Sequence, residues 1–408
     1  MDRTVTAALL VLASAALGAR TLRADDWPQW RGPERSGVSS DKGWLAAWPA
    51  DGPRLAWKAD VGRGLSSFVV ARGRAFTMGN EENIDTVFCF DAETGRAVWS
   101  HKYPSDLGDK YFLGGTTGTP TVDGDRLFTL GRWGDLFCFE AATGKVVWSK
   151  NLVQETGLPA PEWGFGGAPL VLGDLLLLNV GEAGLALDKA TGKVAWKSAA
   201  KESGYSTPLP FGKDGLVLFS STRAYIAVDP KTGRETWRAP WVTQYGVNAA
   251  DPIVDGDRLF LSTGYSKGAA LLKMGKGEPE IVWRSRILNC QMNGAVRVGG
   301  HLYGVDGDQA DKGPPRAELK CVELATGEEQ WSVAGFGTGA VTVADGKVIA
   351  LSELGELMVV PVSPEGFKPT ARAKVLAGRC WTVPVLANGR IYCRNTEGAV
   401  VCVDVRKP

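Results

Sequence analysis

One phrase recurs down the chain: a short apolar run, an acidic residue, Thr-Gly, a basic residue and a tryptophan. It reads Phe-Cys-Phe-Asp-Ala-Glu-Thr-Gly-Arg-Ala-Val-Trp at 88–99 and Phe-Cys-Phe-Glu-Ala-Ala-Thr-Gly-Lys-Val-Val-Trp at 137–148. It returns at 185–196 and 226–237, so that Trp99, Trp148, Trp196 and Trp237 stand 49, 48 and 41 residues apart. A period of that length, built from strand-sized apolar segments bounded by Gly and Asp, predicts a propeller of four-stranded blades. Within a repeat the strands are a to d. Asp-Gly suits the a–b turn and Thr-Gly the c–d turn, because glycine accepts positive φ without steric cost.

Eight copies of strand a begin near Ser67, Gly118, Gly167, Ser206, Ala250, Gly294, Gly339 and Thr382. The d-strand tryptophans continue with Trp283 and Trp331, while the seventh copy, 361–374, has neither Thr-Gly nor Trp. The last copy stops at Val401-Cys402-Val403-Asp404-Val405, short of a d strand. The missing pattern stands at the other end, in Arg54-Leu55-Ala56-Trp57-Lys58. The expected fold is therefore all-β: an eight-bladed propeller closed by pairing of the N-terminal strand with the last blade, which removes two open edges.

Of 408 residues, 44% are hydrophobic and 22% charged, an ordinary globular balance. The formal net charge of +1 gives no bulk case for nucleic acid or an anionic membrane. Residues 1–24 read as a secretory signal: Arg3, then a small apolar stretch too short to span a bilayer comfortably. The mature chain is then expected to be periplasmic or secreted and monomeric, with no integral membrane span. Residues 25–52 form an N-terminal extension carrying Trp27-Pro28-Gln29-Trp30-Arg31-Gly32-Pro33, without strand or helix periodicity. It is expected to act as a clasp laying two indoles over blade edges; a partner-binding arm is the other reading. The propeller occupies 53–408. Of seven cysteines, Cys89, Cys138, Cys321 and Cys402 share one place in the repeat and read as small buried hydrophobes. Cys393 and Cys402 lie on one hairpin, where a bridge is left open.

The d–a and b–c loops share one face, so residues just before each strand a ring the central opening. They are rich in aromatics and amides: Trp163, Tyr205, Tyr245, Asn248, Gln291, Asn293, Arg379 and Trp381, with Arg132 and Trp133 from a b–c loop. These are the candidate pocket for a flat small ligand, stacked by indoles and phenols and oriented by amides and arginine. The plainer reading is a tunnel mouth plugged by aromatics, with amides satisfying loop backbone. Asp306, Asp308 and Asp311 form a weak Ca²⁺ candidate, against which stands an ordinary solvated loop. No catalytic residue is assigned. There is no phosphate-binding glycine loop and no Cys-x-x-Cys, and His101 and His301 are the whole histidine complement. The repeated Asp91, Glu140, Asp188 and Asp229 sit beside the Thr-Gly turn in copy after copy, which points to turn hydrogen bonding.

The phrase resembles the tryptophan-docking repeat, Ala-x-Asp-x-x-Thr-Gly-Lys-x-x-Trp, of pyrroloquinoline-quinone (PQQ) propellers; 91–99, 188–196 and 229–237 match it nearly in full. The resemblance covers about 54–408 and implies indoles packed on a peptide plane of the adjoining repeat. It has two branches: quinone-dependent alcohol and sugar dehydrogenases, and a non-catalytic BamB-like exported branch, which the start at 27–33 resembles. The vicinal Cys-Cys of the eight-bladed dehydrogenases and the catalytic His of the glucose-oxidising ones have no counterpart here. The lipid-bearing Cys of BamB is missing too. The resemblance thus implies a non-catalytic binding or assembly scaffold, with envelope or secreted proteins, or a small ligand at the propeller face, as partners, and with no cofactor. A PQQ-dependent periplasmic dehydrogenase, using PQQ and Ca²⁺, is the alternative; a carbohydrate-binding propeller is the third.

Overall fold

The computed structural model describes residues 26–49, 51–110, 112–275, 279–308 and 314–407. The expected signal at 1–24 and Asp311 lie outside the described residues. Eight antiparallel sheets follow one another along the chain, at 69–104, 121–151, 170–197, 209–240, 253–285, 296–333, 340–374 and 385–404. They are blades 1 to 8. The last is completed by Arg54–Asp60, which pairs antiparallel with Ala399–Asp404. The ring therefore closes between the two ends of the chain, as the sequence predicts. The c strands are nearly all buried, as in Ala224–Val228, and the d strands alternate at the rim, as in Ala97–Pro104. The apolar cores lie between neighbouring blades.

The repeated phrase has a mechanical meaning. In seven blades the c–d ladder skips the residue before the tryptophan. Blade 7, which has no tryptophan, has an unbroken ladder there. The bulge turns the indole toward the next blade. Its Nε1–H then donates to a carbonyl beside that blade's c–d turn: Trp57 to Ala92 (3.1 Å), Trp99 to Ala141 (3.0 Å), Trp148 to Lys189 (3.1 Å), Trp283 to Leu324 (2.9 Å). The indole plane lies against the turn glycine. A Cβ on Gly144 would stand 2.6 Å from the Trp99 ring, and φ there is +74°. The turn acids hold the same loop: Asp91 accepts from the Thr94 N–H (3.0 Å) and hydroxyl (2.9 Å). Gly144→Ala is accordingly expected to cost about 2–4 kcal/mol by adding overpacking to left-handed strain. Gly124→Ala meets nothing within 4 Å at φ +57° and should cost about 1 kcal/mol. Chemical denaturation of the pair checks the difference.

Blade 7's missing tryptophan is made good from the N-terminal extension. Trp44 is buried in the cluster that joins blades 7 and 8, with Ile349, Val359, Val403 and Val405. The Leu45 N–H donates to the Val405 carbonyl (2.6 Å), and Trp48 Nε1 to the Arg372 carbonyl (3.3 Å).

The earlier part of the extension meets the inner edges of the blades, on their first strands. Trp27 exchanges two backbone hydrogen bonds with Val70 of blade 1, and Pro28 accepts from Val122 of blade 2. Trp30 reaches Asp251 before blade 5, and Arg31 reaches Gly294 and Ala295 at blade 6. Val38–Ser39 pairs parallel with the innermost strand of blade 7, and the Ser39 hydroxyl donates to Leu386 of blade 8 (2.9 Å). A segment touching the innermost strands of opposite blades occupies the axis. Residues 26–41 are thus a plug in the central channel, with its two ends tied by Asp26 and Asp41 to the a–b turns at Arg72 and Gly389.

Candidate functional site

The plug makes the floor of the site. Arg31 and Gly32 both have positive φ (+61° and +82°), which reverses the chain inside the channel. A Cβ on Gly32 would lie 2.8 Å from the Trp27 ring, so the reversal leaves room for glycine only. Arg31 is buried, and its guanidinium donates to the carbonyls of Arg35, Gly294, Ser36 and Ala295, the last at 2.7 Å. Burial pushes its pKa down, while nearby Asp251 opposes that shift. With Arg31 fixed, Trp30 is held across the channel and its indole N–H donates to the Asp251 carboxylate.

Above this floor lies a cavity of about 210 Å3, on the face of the d–a loops. Of the residues that the sequence places at the opening, Trp163, Tyr205, Gln291, Asn293 and Trp381 line it. Trp163 and Tyr205 pack with ring centroids 5.9 Å apart. The other three stand elsewhere. Asn248 is fully buried, and its amide donates to the carbonyls of Ser221 (2.7 Å) and Trp241 (3.0 Å), bracing the loop from within. Tyr245 points outward, 55% exposed, with its ring edge on Tyr265. Arg379 stacks on Trp381 (4.8 Å) and pairs with Glu353 (3.1 Å), outside the cavity lining. Arg132 is a buried brace, donating to the carbonyls of Trp163, Leu107 and Gly115, and Trp133 donates to Asp106.

Trp30, Asp251 and Tyr265 are among the lining residues that have no counterpart in the sequence-based set. Trp30 belongs to a single-copy segment whose destination no repeat pattern encodes. Asp251 sits at the start of strand a of blade 5, where an aspartate reads as an ordinary turn acceptor. Its carboxylate accepts from Trp30 Nε1 and from the Thr207 N–H (2.8 Å). Burial raises its pKa; Arg31 and these hydrogen bonds pull the other way. Burial likewise raises the pKa of the Tyr205 and Tyr265 phenols. Among the described lining residues Asp251 is the one carboxylate, and no Lys, Arg, His or Cys accompanies it.

The acidic loop is engaged internally. Asp306 pairs with Lys320 (2.9 Å) and accepts from Asn289, and Asp308 accepts from the Tyr265 N–H (2.7 Å). Among the described residues no group of three potential metal ligands forms. All seven cysteines are free and buried. Cys393 lies opposite Val401, and Cys402 opposite Tyr392, so the two thiols project to opposite faces of the sheet.

A family model described as outer membrane protein assembly factor BamB matches residues 85–333. The chain belongs to that family. No curated protein matches it in sequence. Among solved structures it is similar to BamB from Moraxella catarrhalis, at 16% identity and TM-score 0.62, covering 86% of this chain and 99% of that one. It is also similar to the quinohemoprotein alcohol dehydrogenase of Comamonas testosteroni, at 15% identity and TM-score 0.69, covering 96% and 82%. A europium-containing methanol dehydrogenase superposes at 13% identity and TM-score 0.72, covering 91% and 90%. At these identities the likeness is one of fold. No helix among the described residues is long and apolar enough to cross a membrane.

Proposed function

We propose that the chain is an exported, non-catalytic binding propeller of the cell envelope, working as a recognition or assembly scaffold through its cavity-bearing face. The observation that carries this is the make-up of the cavity: one carboxylate among aromatic walls, with no Lys, Arg, His or Cys beside it and with the pKa of its two phenols, Tyr205 and Tyr265, pushed up by burial. Phenols raised further by burial are poorly matched to proton transfer near neutral pH, where an effective general acid or base has its pKa. PQQ is a fused-ring tricarboxylate, and the lining offers no cation to its charges, so these residues do not fit it. The same face carries exposed apolar side chains on its loops, Leu113, Val242, Tyr245 and Leu354, as a protein-binding surface would.

Two measurements test this. Addition of PQQ and Ca²⁺ should give neither dye-linked oxidation of alcohols or aldoses nor a rise in melting temperature; turnover would overturn the reading. A photo-crosslinker at position 245 should capture envelope proteins that one at position 125, on the a–b turns of the opposite face, does not. Equal capture from both faces would remove the recognition role.

A further inference from the structure

We propose that the cavity binds a small organic cation of the quaternary or methylated ammonium class. This rests on the cavity being a binding site rather than a redox site. Its walls are aromatic on several sides: Trp30 below, with Trp163, Tyr205, Tyr265 and Trp381 around. Aromatic faces carry negative quadrupole potential and attract onium groups, indoles most strongly. Two amides and one hydroxyl among them are engaged in holding the walls, while the Trp381 indole N–H has no partner among the described residues. Gln291 Nε2 donates to the Tyr265 hydroxyl (3.2 Å), and Asn293 Nδ2 to the Trp381 carbonyl (2.8 Å). The Thr117 hydroxyl donates to the Phe165 carbonyl (2.6 Å).

Asp251 differs. An ionised carboxylate has about four acceptor directions, and this one receives two hydrogen bonds, from Trp30 and Thr207. Arg31, below it, spends its donors on backbone carbonyls rather than on this carboxylate. The cavity therefore offers negative charge with spare capacity inside an aromatic enclosure. Burial opposes that charge, and a bound cation would offset the same cost. A saccharide would need several unspent donors and acceptors around its rim. At about 210 Å3 the space is below the ~300–1,000 Å3 of sites for drug-sized ligands and suits a compact head group.

The test uses the full mature chain, with calorimetry and tryptophan fluorescence as readouts. The probes are choline, tetramethylammonium, the neutral choline isostere 3,3-dimethylbutan-1-ol, and glucose. Saturable choline binding is expected, with the neutral isostere at least ten-fold weaker. Asp251→Asn should weaken choline at least ten-fold and abolish that preference. Because Asp251 also holds Trp30, Trp163→Leu provides an independent check: it should weaken choline several-fold at unchanged melting temperature. No saturable choline binding, an isostere that binds as well as choline, or saturable glucose in its place would overturn the inference. PQQ-dependent oxidation would instead overturn the non-catalytic reading beneath it, so the two failures are distinct.

Discussion

Trp57→Ala should destabilise the protein by about 3–5 kcal/mol and should do so by opening the ring. The Trp57 indole donates to the Ala92 carbonyl, lies against Gly95, and packs with Phe90 and Tyr392, both at 5.8 Å between ring centroids. Each of the other tryptophan docks joins blades that the chain already connects. This one seats Arg54–Asp60, the strand that completes blade 8, on blade 1, so it bears on the joint that the ladder to Ala399–Asp404 closes. Ion pairs at the seam, Arg54 and Arg406 with Asp404 and Arg390 with Glu93, are largely exposed on one side and cannot replace it. The comparison is Trp148→Ala, which removes an equivalent dock to Lys189 and Gly192. Hydrogen exchange should quicken across Arg54–Asp60 and Ala399–Asp404 in the Trp57 variant and stay slow there in the Trp148 variant. Equal exchange in both would rule out the seam as the weak joint.

What could be read in advance divides by copy number. The blade count, the closing strand and the tryptophan docks are each encoded several times, so one degraded copy, such as blade 7, does not hide them. The plug is encoded once. Trp30 meets a residue 221 positions away, and Arg31 ones 263 and 264 away, and no local periodicity reports such pairings. The ring of residues before each strand a marks the right face, because topology fixes it. It does not fix which way a side chain turns. Tyr245 and Asn248 share one loop, yet the first faces solvent and the second is sealed inside, since Gly246 at φ +66° turns the chain between them. Asp251 was hidden by a different cause. An aspartate at a strand start is ordinarily a turn acceptor, and only the Trp30 indole arriving from the plug makes it part of a floor.

Arg31→Met should release that floor. Methionine keeps much of the volume and removes the N–H donors that satisfy the carbonyls of Arg35, Ser36, Gly294 and Ala295. Two of these belong to the plug and two to blade 6, so one guanidinium holds the reversed segment to the wall. Buried carbonyls left without donors cost about 1–3 kcal/mol each. Partial rehydration through the opened channel limits the total to about 3 kcal/mol. The change also removes the stronger of the two cations, Arg31 and Arg35, that oppose the burial of Asp251, which adds to the loss at neutral pH. Three signatures should appear together: altered near-ultraviolet dichroism from Trp30, faster proteolysis within 26–49, and loss of the cavity's ligand response. The outer docks at Trp99 and Trp148 should keep their exchange protection, because they draw on blade-to-blade contacts that the plug does not touch. If proteolysis and dichroism were unchanged while the whole ring lost stability, Arg31 would be an ordinary core brace and the floor would stand without it.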